Sequence, residues 1–363
     1  MQDIENKFFY SFIKRPRVLI TGGAGFIGNA VVRRLLKNSD CIIYNLDKIS
    51  YASNLEPINN IIQSMGKEGE IRHTLMKTDL FNTSHTDSSV EHSDPDLVLH
   101  LAAETHVDNS IISPKPFIES NIIGTYNLLE SVRKHFNKLN SKRKNSFRFL
   151  HISTDEVFGT LGEKGSFNEL TQYDPRSPYS ASKSSSEHLV NAWHHTFGIP
   201  VLITNCSNNY GPWQHKEKLI PKVILNAINN SKIPIYGDGK NIRDWLFVED
   251  HVSALVLVAT FGRISNTYCV GGHGEITNKD LILKICEIMD ELIPAKSPHN
   301  RFIKFVKDRP GHDFRYSIDP TKIKRELGWD IKNRLEENLK LTVKWYIDNL
   351  DWCKKKLKDK KSY

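Results

Sequence analysis

The 363-residue sequence predicts a doubly wound parallel α/β sheet with a second, smaller lobe. Three observations carry that prediction. Short continuous apolar runs alternate with helical periodicity from Arg17 onward. A strand, glycine turn and helix stand first, as R-V-L-I-T-G-G-A-G-F-I-G at 17–28. After Pro212 the elements become shorter, with turn signals at Gly237-Asp238-Gly239, Gly271-Gly272 and Arg309-Pro310-Gly311. Unbroken apolar strands separated by helices belong to a sheet covered on both faces.

In chain order, residues 1–16 form a polar extension with an apolar patch at Phe8, Phe9, Tyr10 and Phe12. Val18-Leu19-Ile20 reads as a buried strand, Phe26 to Leu36 has helical periodicity, and Ile42 to Leu46 is the next strand. Further strands are predicted at 97–101, 147–152 and 200–204, between helical stretches near 116–136 and 179–197. The sheet domain is placed at 17–205 plus about 243–275, the smaller lobe at about 206–242 plus 276–350, and a basic tail at 351–363.

At 39% hydrophobic and 25% charged, the chain can bury a sizeable core without staples. No apolar run approaches the roughly 18 residues of a membrane span, the longest clean stretch being Ala254 to Phe261. Acids follow Met1 where a secretory signal would be basic, and five scattered cysteines make no Cys-x-x-Cys, so the reading is a reduced, cytoplasmic protein without a zinc site. The net charge of +8 sits in two runs: seven basic side chains and no acid at 133–148, and six lysines with Asp359 at 354–361. Both are read as solvated, one as a loop inserted ahead of a strand and one as a tail. Neither has the aromatic interleaving of a nucleic-acid groove, so nucleic acid is not expected as a partner.

The glycine turn makes a specific demand. Gly22, Gly25 and Gly28, or Gly23, Gly25 and Gly28, permit a tight turn and close approach of a pyrophosphate to a helix N-terminus, with Phe26 and Ile27 at the junction. Asp47 ends the next strand, where a carboxylate accepts ribose hydroxyls and repels a 2′-phosphate, favouring NAD over NADP. This is the NAD-binding half of a Rossmann domain. Tyr179 and Lys183 stand four residues apart, on one helix face, where an ammonium favours the phenolate of a general base. The strand ending near Ile152 runs into Thr154-Asp155-Glu156, at the edge where ligands bind in parallel sheets. Taken alone, adjacent acids there would more often be a loop or helix cap.

From about Arg17 to Tyr346 the chain resembles the nucleotide-sugar branch of the extended short-chain dehydrogenases, and within it the nucleotide-hexose 4,6-dehydratases. The motifs that carry this are L-A-A-E-T-H-V-D at 101–108, S-T-D-E-V-F-G at 153–159, S-P-Y-S-A-S-K at 177–183 and N-C-S-N-N-Y-G-P at 205–212. With them go E-K-L-I-P at 217–221, I-R-D-W-L-F-V-E-D-H at 242–251 and D-R-P-G-H-D at 308–313. The resemblance implies oxidation of a hexose at C4, loss of water across C5 and C6, and return of hydride to C6. Tyr179 would be the C4 base, Lys183 its partner and ribose ligand, and Thr154 a donor to O4. Glu156 would remove the C5 proton and Asp155 would protonate the leaving hydroxyl. It places Asp79, Leu80, Ala102, Ala103, Ser120 and Asn209 along the NAD. It places Thr105 and Asn208 near the sugar and diphosphate, with Arg243 and Arg309 as guanidinium ligands of phosphate. Lys218, Leu219, Pro234, Ile235, Tyr236 and Asn278 would surround the nucleotide, and His312 shares the Arg309 motif.

The implied substrate is dTDP-glucose, with UDP-glucose the alternative, since one methyl separates the bases. A homodimer is implied through the helices near 116–136 and 179–197. From another class, a catalytically silent NAD-binding regulator would keep the glycine turn, with no reason to keep Tyr179, Lys183, Asp155 and Glu156 together. No metal is expected, and His100, His106 and His194-His195 are read as structural. Phe158 stands where the family usually has tyrosine, and Cys269 where asparagine is usual.

Overall fold

The computed structural model describes residues 14–353; the apolar patch at Phe8–Phe12 and the lysine run at 354–361 lie outside the described residues. Seven strands form one parallel sheet: β1 (Arg17–Thr21), β2 (Ile42–Asp47), β3 (His73–Lys77), β4 (Leu97–His100), β5 (Arg148–Thr154), β6 (Val201–Cys206) and β7 (Thr267–Val270). Their order is β7-β6-β5-β4-β1-β2-β3, with every neighbouring pair parallel. The order reverses between β1 and β4, and a crevice at the carboxyl ends of the strands is the usual ligand position of such sheets.

Alternation along each strand builds the two faces. Val18, Ile20, Leu99, Leu150 and Leu202 pack with helices α1 (Phe26–Asn38) and, near the chain's later return, Val248–Phe261. Leu19, Val98, Phe149, Val201 and Ile203 face the other way, against Leu128, Leu129 and Val132 of α2 (Gly124–Lys138) and Val190 of α3 (Pro178–Phe197). Ser177 and Ser180 form a capping box at the start of α3, Pro178 fits its first turn, and Gly198 at φ +72° ends it. That fixes the helix carrying Tyr179 and Lys183.

A separate apolar core joins Tyr210, Ile224, Ile235, Leu281, Ile285, Val343 and Tyr346. Three two-stranded pairings serve this part of the chain: Asn208–Tyr210 with Trp245–Phe247, Ile242–Arg243 with Ile276–Thr277, and Ile233–Tyr236 with Ile303–Val306. Trp352 and Cys353 are buried in this same core, so the chain read as a tail from 351 is packed as far as Cys353.

Two further expectations are corrected. The basic stretch 133–148 is not a loop: it is the end of α2, a short helix Ser141–Ser146 capped by Asn140, and the start of β5. Several of its charges are met by acids: Lys134 pairs with Asp87 at 2.9 Å and Arg143 with Asp94 and Asp96, each at 2.8 Å. Strand β3 was not anticipated. It lies at the sheet edge, and its sequence His-Thr-Leu-Met-Lys leaves Leu75 exposed instead of forming a continuous buried run.

Candidate active site

Helix α1 opens with Gly25 in extended conformation and no side-chain cap, so no protein side chain occupies the donors of its first turn. The glycines divide by job. Gly22, at φ +72°, lies so close to the β4 loop that a Cβ would stand 2.7 Å from Ala102 Cα. A Cβ on Gly28 would meet the Gly22 carbonyl and lie 2.8 Å from Gly23 Cα, and one on Gly23 would meet the Asn45 side chain. At Gly25 the nearest atom to such a Cβ is the Gly22 carbonyl oxygen at 3.2 Å, with no other beyond its chain neighbours within 4 Å. That opening at an uncapped helix N-terminus fits a dinucleotide pyrophosphate.

Asp47 is buried at the end of β2. Its Oδ2 accepts from Ala24 N at 3.0 Å, and Oδ1 accepts from Ile49 N at 2.8 Å and Ser53 Oγ at 3.0 Å. Three of the roughly four acceptor positions of a carboxylate thus shape the loop itself, where the sequence reading reserved the group for ribose. Asp79 accepts from Phe81 N at 3.0 Å, and buried Leu80 is approached closely by Gly124 of α2. Ala102 N donates to Thr21 Oγ1 at 3.2 Å, and Ala103 follows in the same loop. Ser120 lies in a π-helical stretch, Ile118–Ile123, whose Asn121 donates to Glu104 O at 3.0 Å and Ser182 Oγ at 2.8 Å. The extra residue of that turn locks the β4 loop against α3. Asn209 donates to Ser207 O at 2.9 Å, and its Oδ1 lies 2.8 Å from His251 Nδ1.

Thr154 is the last residue of β5, and Asp155-Glu156 open the single 3₁₀ turn that follows. Thr154 Oγ1 accepts from Glu156 N at 3.3 Å and donates to Asp155 Oδ1 at 3.2 Å. Asp155 is buried and its Oδ2 has no hydrogen-bond partner. Burial, then the charges of Glu156 and Asp244, push its carboxyl well above the usual range, which favours its protonated form. Glu156 is half-buried, and burial raises it too, but Arg309, Arg243 and Lys218 oppose the rise. The two neighbouring acids therefore occupy different electrostatic surroundings, as an acid and a base require.

Tyr179 is buried beside them. Burial and then Glu156 push its phenol well above its ordinary value, with the Thr154 hydroxyl opposing. Lys183 follows Tyr179 by four residues on the same helix, and its Nζ donates to Ile152 O at 2.8 Å and lies 3.5 Å from His151 Nε2, which braces the ammonium against β5. Burial lowers Lys183 to about 8, with Glu187 opposing.

The remaining expected residues come from the smaller lobe and the β4 loop. Lys218, at the start of helix Leu219–Ile228, donates to the carbonyl of exposed Thr105 at 3.0 Å. Buried Arg243 donates to Ile242 O at 2.7 Å and Asp313 O at 3.0 Å, and lies 4.2 Å over the Tyr316 ring. Arg309 pairs with Asp108 at 3.3 Å, and His312 with Asp308 at 2.7 Å. Asn208 and Asn278 each keep a buried Oδ1 without a partner, and Pro234 and Tyr236 lie on the strand Ile233–Tyr236.

The histidines read as structural have protein partners: His100 bridges Thr21 and Thr125 at 2.7 and 2.9 Å, His106 pairs with Glu217 at 3.8 Å, and His194 meets Ile199 O at 2.7 Å. Among the described residues no group of three or more His, Cys, Asp or Glu could hold a metal. Phe158 packs on Phe167 and Tyr173, in an apolar cluster that also buries Cys269.

Sequence reasoning missed Asp244, whose carboxylate accepts from Gly272 N at 2.9 Å and Gly274 N at 2.8 Å and acts on Asp155. It also missed Glu187, one turn beyond Lys183, which the same four-residue spacing could have found.

The sequence matches the family described as GDP-mannose 4,6 dehydratase over residues 19–342. A dTDP-glucose 4,6-dehydratase of Salmonella typhimurium is 49% identical over 345 residues, covering 93% of this chain and 94% of that protein. The enzyme of the same name from Neisseria meningitidis is 48% identical over 341 residues, covering 93% and 94%. Among solved structures, a dTDP-glucose 4,6-dehydratase from Streptomyces venezuelae with NAD bound superposes with a TM-score of 0.81 at 36% identity, covering 93% of this chain and 98% of that one. A UDP-glucose 4-epimerase of Thermus thermophilus with NAD reaches 0.79 at 25% identity, over 92% and 99%. The fold is thus common to the wider group, while the stronger sequence similarity runs to the dehydratases. With its glycine cradle and its Thr-Asp-Glu turn beside Tyr179, this chain belongs to the nucleotide-sugar 4,6-dehydratase family of extended short-chain dehydrogenases.

Proposed function

We propose that the protein converts dTDP-glucose to dTDP-4-keto-6-deoxyglucose with bound NAD. The observation that carries this reading is the pair of neighbouring carboxyls at the end of β5: one fully buried beside two other acids, the other acted on by three cations, both beside Tyr179. Oxidation and reduction alone have no use for both. NAD, when bound, supplies the hydride acceptor at C4 and the hydride returned to C6.

The chain's own residues move the protons. For Tyr179 to take the O4 proton as the C4 carbonyl forms, its phenol must ionise against the burial that raises it, which the positive charge of bound NAD would favour. Thr154 donates a hydrogen bond to O4. The carbonyl acidifies the C5 proton, which Glu156 removes. Asp155 gives its proton to the C6 hydroxyl, which leaves as water, and Glu156 hands its proton back to C5 as C6 is reduced. Positive charge from Arg243, Arg309 and Lys218 suits the substrate diphosphate, and the electrostatic effect of all three on Glu156 supports that role. Binding of the diphosphate would displace Asp108 from Arg309.

The relatives named above act on dTDP-glucose, which favours that base over the uracil analogue. The direct test is incubation of the purified protein with dTDP-glucose and UDP-glucose, without added NAD, reading loss of one water by mass spectrometry. Loss from dTDP-glucose is expected; intact substrate in both, persisting after NAD is added, would remove the dehydratase reading and favour a silent NAD-binding protein.

A homodimer is part of the same reading. Tyr126 of α2 and Phe197 of α3 are exposed large apolar side chains, linked through Trp193 by ring contacts of 5.8 and 5.6 Å. An aromatic face of this kind suits a second copy of the chain. Sedimentation equilibrium at twice the monomer mass is the expected result. The described cysteines are all buried and unpaired, and no described helix is long and apolar enough to cross a membrane, which accords with a cytoplasmic location.

A further inference from the structure

We propose that Glu187 is a positioning residue for this reaction: its buried carboxylate ties the helix carrying Tyr179 and Lys183 to the strand end carrying Thr154 and Asp155, and it keeps Lys183 cationic. The proposal rests on the dehydratase reading above.

Tyr179, Lys183 and Glu187 follow one another at four-residue intervals on α3, hence along one face. Glu187 is fully buried. Its Oε1 receives the Ser153 hydroxyl and Asn205 Nδ2, the latter at 2.9 Å, and its Oε2 receives the Tyr173 hydroxyl at 2.7 Å. Ser153 and Asn205 face each other across β5 and β6, one position before Thr154. The same Asn205 amide donates to Thr154 O at 3.1 Å. One carboxylate therefore joins α3, the ends of two central strands and the segment leading into α3. Any displacement of it is passed directly to the Thr154 backbone.

The three donors call for an acceptor at this place but not for a charge, since a neutral amide oxygen would also accept without the cost of desolvating an ion. The charge has a use one helical turn away. Lys183 is buried, with His151 of β5 and His100 of β4 near it, Cys206 facing it from β6, and Tyr179 and Glu187 on its own helix. Burial holds both histidines neutral and the Cys206 thiol protonated. Burial raises Glu187 as well, but the Ser153, Tyr173 and Asn205 donors and the Lys183 charge oppose the rise, and Glu187 is the acid that favours the ammonium against its desolvation. Neutralising Glu187 would let Lys183 lose its proton at a lower pH.

The test measures kcat and KM for dTDP-glucose from about pH 6 to 9 on the full-length protein and its Glu187→Gln and Glu187→Asp variants. Glu187→Gln should lower kcat by about 10- to 100-fold while KM changes by less than about threefold. Its alkaline limb should move to lower pH by about one unit. Glu187→Asp, which keeps the charge, should restore the limb and part of kcat. An alkaline limb that stays put in Glu187→Gln would leave a structural brace only and overturn the proposal. Should Glu187→Gln not fold, Ser153→Ala and Glu187→Asp, which keep the charge and so the limb, test the positioning tie: a severalfold fall in kcat with KM within about threefold supports it, and wild-type kcat in both, or kcat and KM worsening together, overturns it. Failure of the wild-type protein to release water from dTDP-glucose would instead strike the dehydratase reading, so the two failures are separable.

Discussion

At the scale of single residues, the division of labour between Asp155 and Glu156 follows from what each is surrounded by. Asp155 is buried near Glu156 and Asp244, which favours its protonated form; Glu156 is acted on by Arg309, Arg243 and Lys218, which favour its carboxylate. Replacing Glu156 with Gln should leave the first oxidation intact, so that substrate still changes the absorbance of bound cofactor, while water loss slows by about 10²- to 10⁴-fold. Tyr179→Phe should abolish both. Dehydration at the wild-type rate in Glu156→Gln would show that another group removes the C5 proton. These residues were legible because their chemistry is written in short motifs. Lys183 shows the limit: spacing put it on the face of Tyr179, but only packing showed that its ammonium is held by the Ile152 carbonyl.

At the scale of elements, the glycine turn illustrates how one motif holds distinct parts. Gly28→Ala would force a Cβ into the Gly22 carbonyl, so it should destabilise the chain by about 1–3 kcal/mol and be visible in urea unfolding. Gly25→Ala has only one close neighbour, at 3.2 Å and at an ordinary φ of −73°, so it should unfold much like wild type. Its methyl stands at the mouth of α1, and the expected deficit is in NAD carried through purification. Equal stability losses for the two variants would contradict this division. Strands β1, β2, β4, β5 and β6 could be read from apolar runs because both their faces are covered. The edge strand β3 could not, since its side chains Leu75 and Lys77 are exposed. The 133–148 stretch misled for a related reason: its partners Asp87, Asp94 and Asp96 are some 47 to 49 positions away from the bases they meet, and charge counting along the chain does not see them.

At the scale of the whole molecule, three buried histidines beneath and beside the site set a pH limit on folding. Burial lowers His100 and His251 each to about 3, and drives His151 down in the same direction. Their unfolded counterparts protonate near pH 6.5. Below that value the unfolded chain binds protons that the folded one refuses, so stability falls as pH drops through the window from 6.5 towards about 3. Each histidine contributes a slope of up to about 1.4 kcal/mol per pH unit, and the urea midpoint at pH 5 should lie well below that at pH 7. His251→Gln should flatten that dependence; an unchanged slope would place the titration elsewhere.

The position of β7 has a consequence for how the chain is made. It pairs with β6 in parallel, Thr267 opposite Ile203, yet the ribosome delivers the intervening sixty or so residues of lobe before it. Until then β6 is the bare margin of an otherwise finished sheet, offering unpaired amides and carbonyls to any other nascent strand. A fragment stopped before Thr267 should consequently aggregate, while one carried past Val270 gains its closing strand, which pulse-labelled translation of staged truncations would reveal.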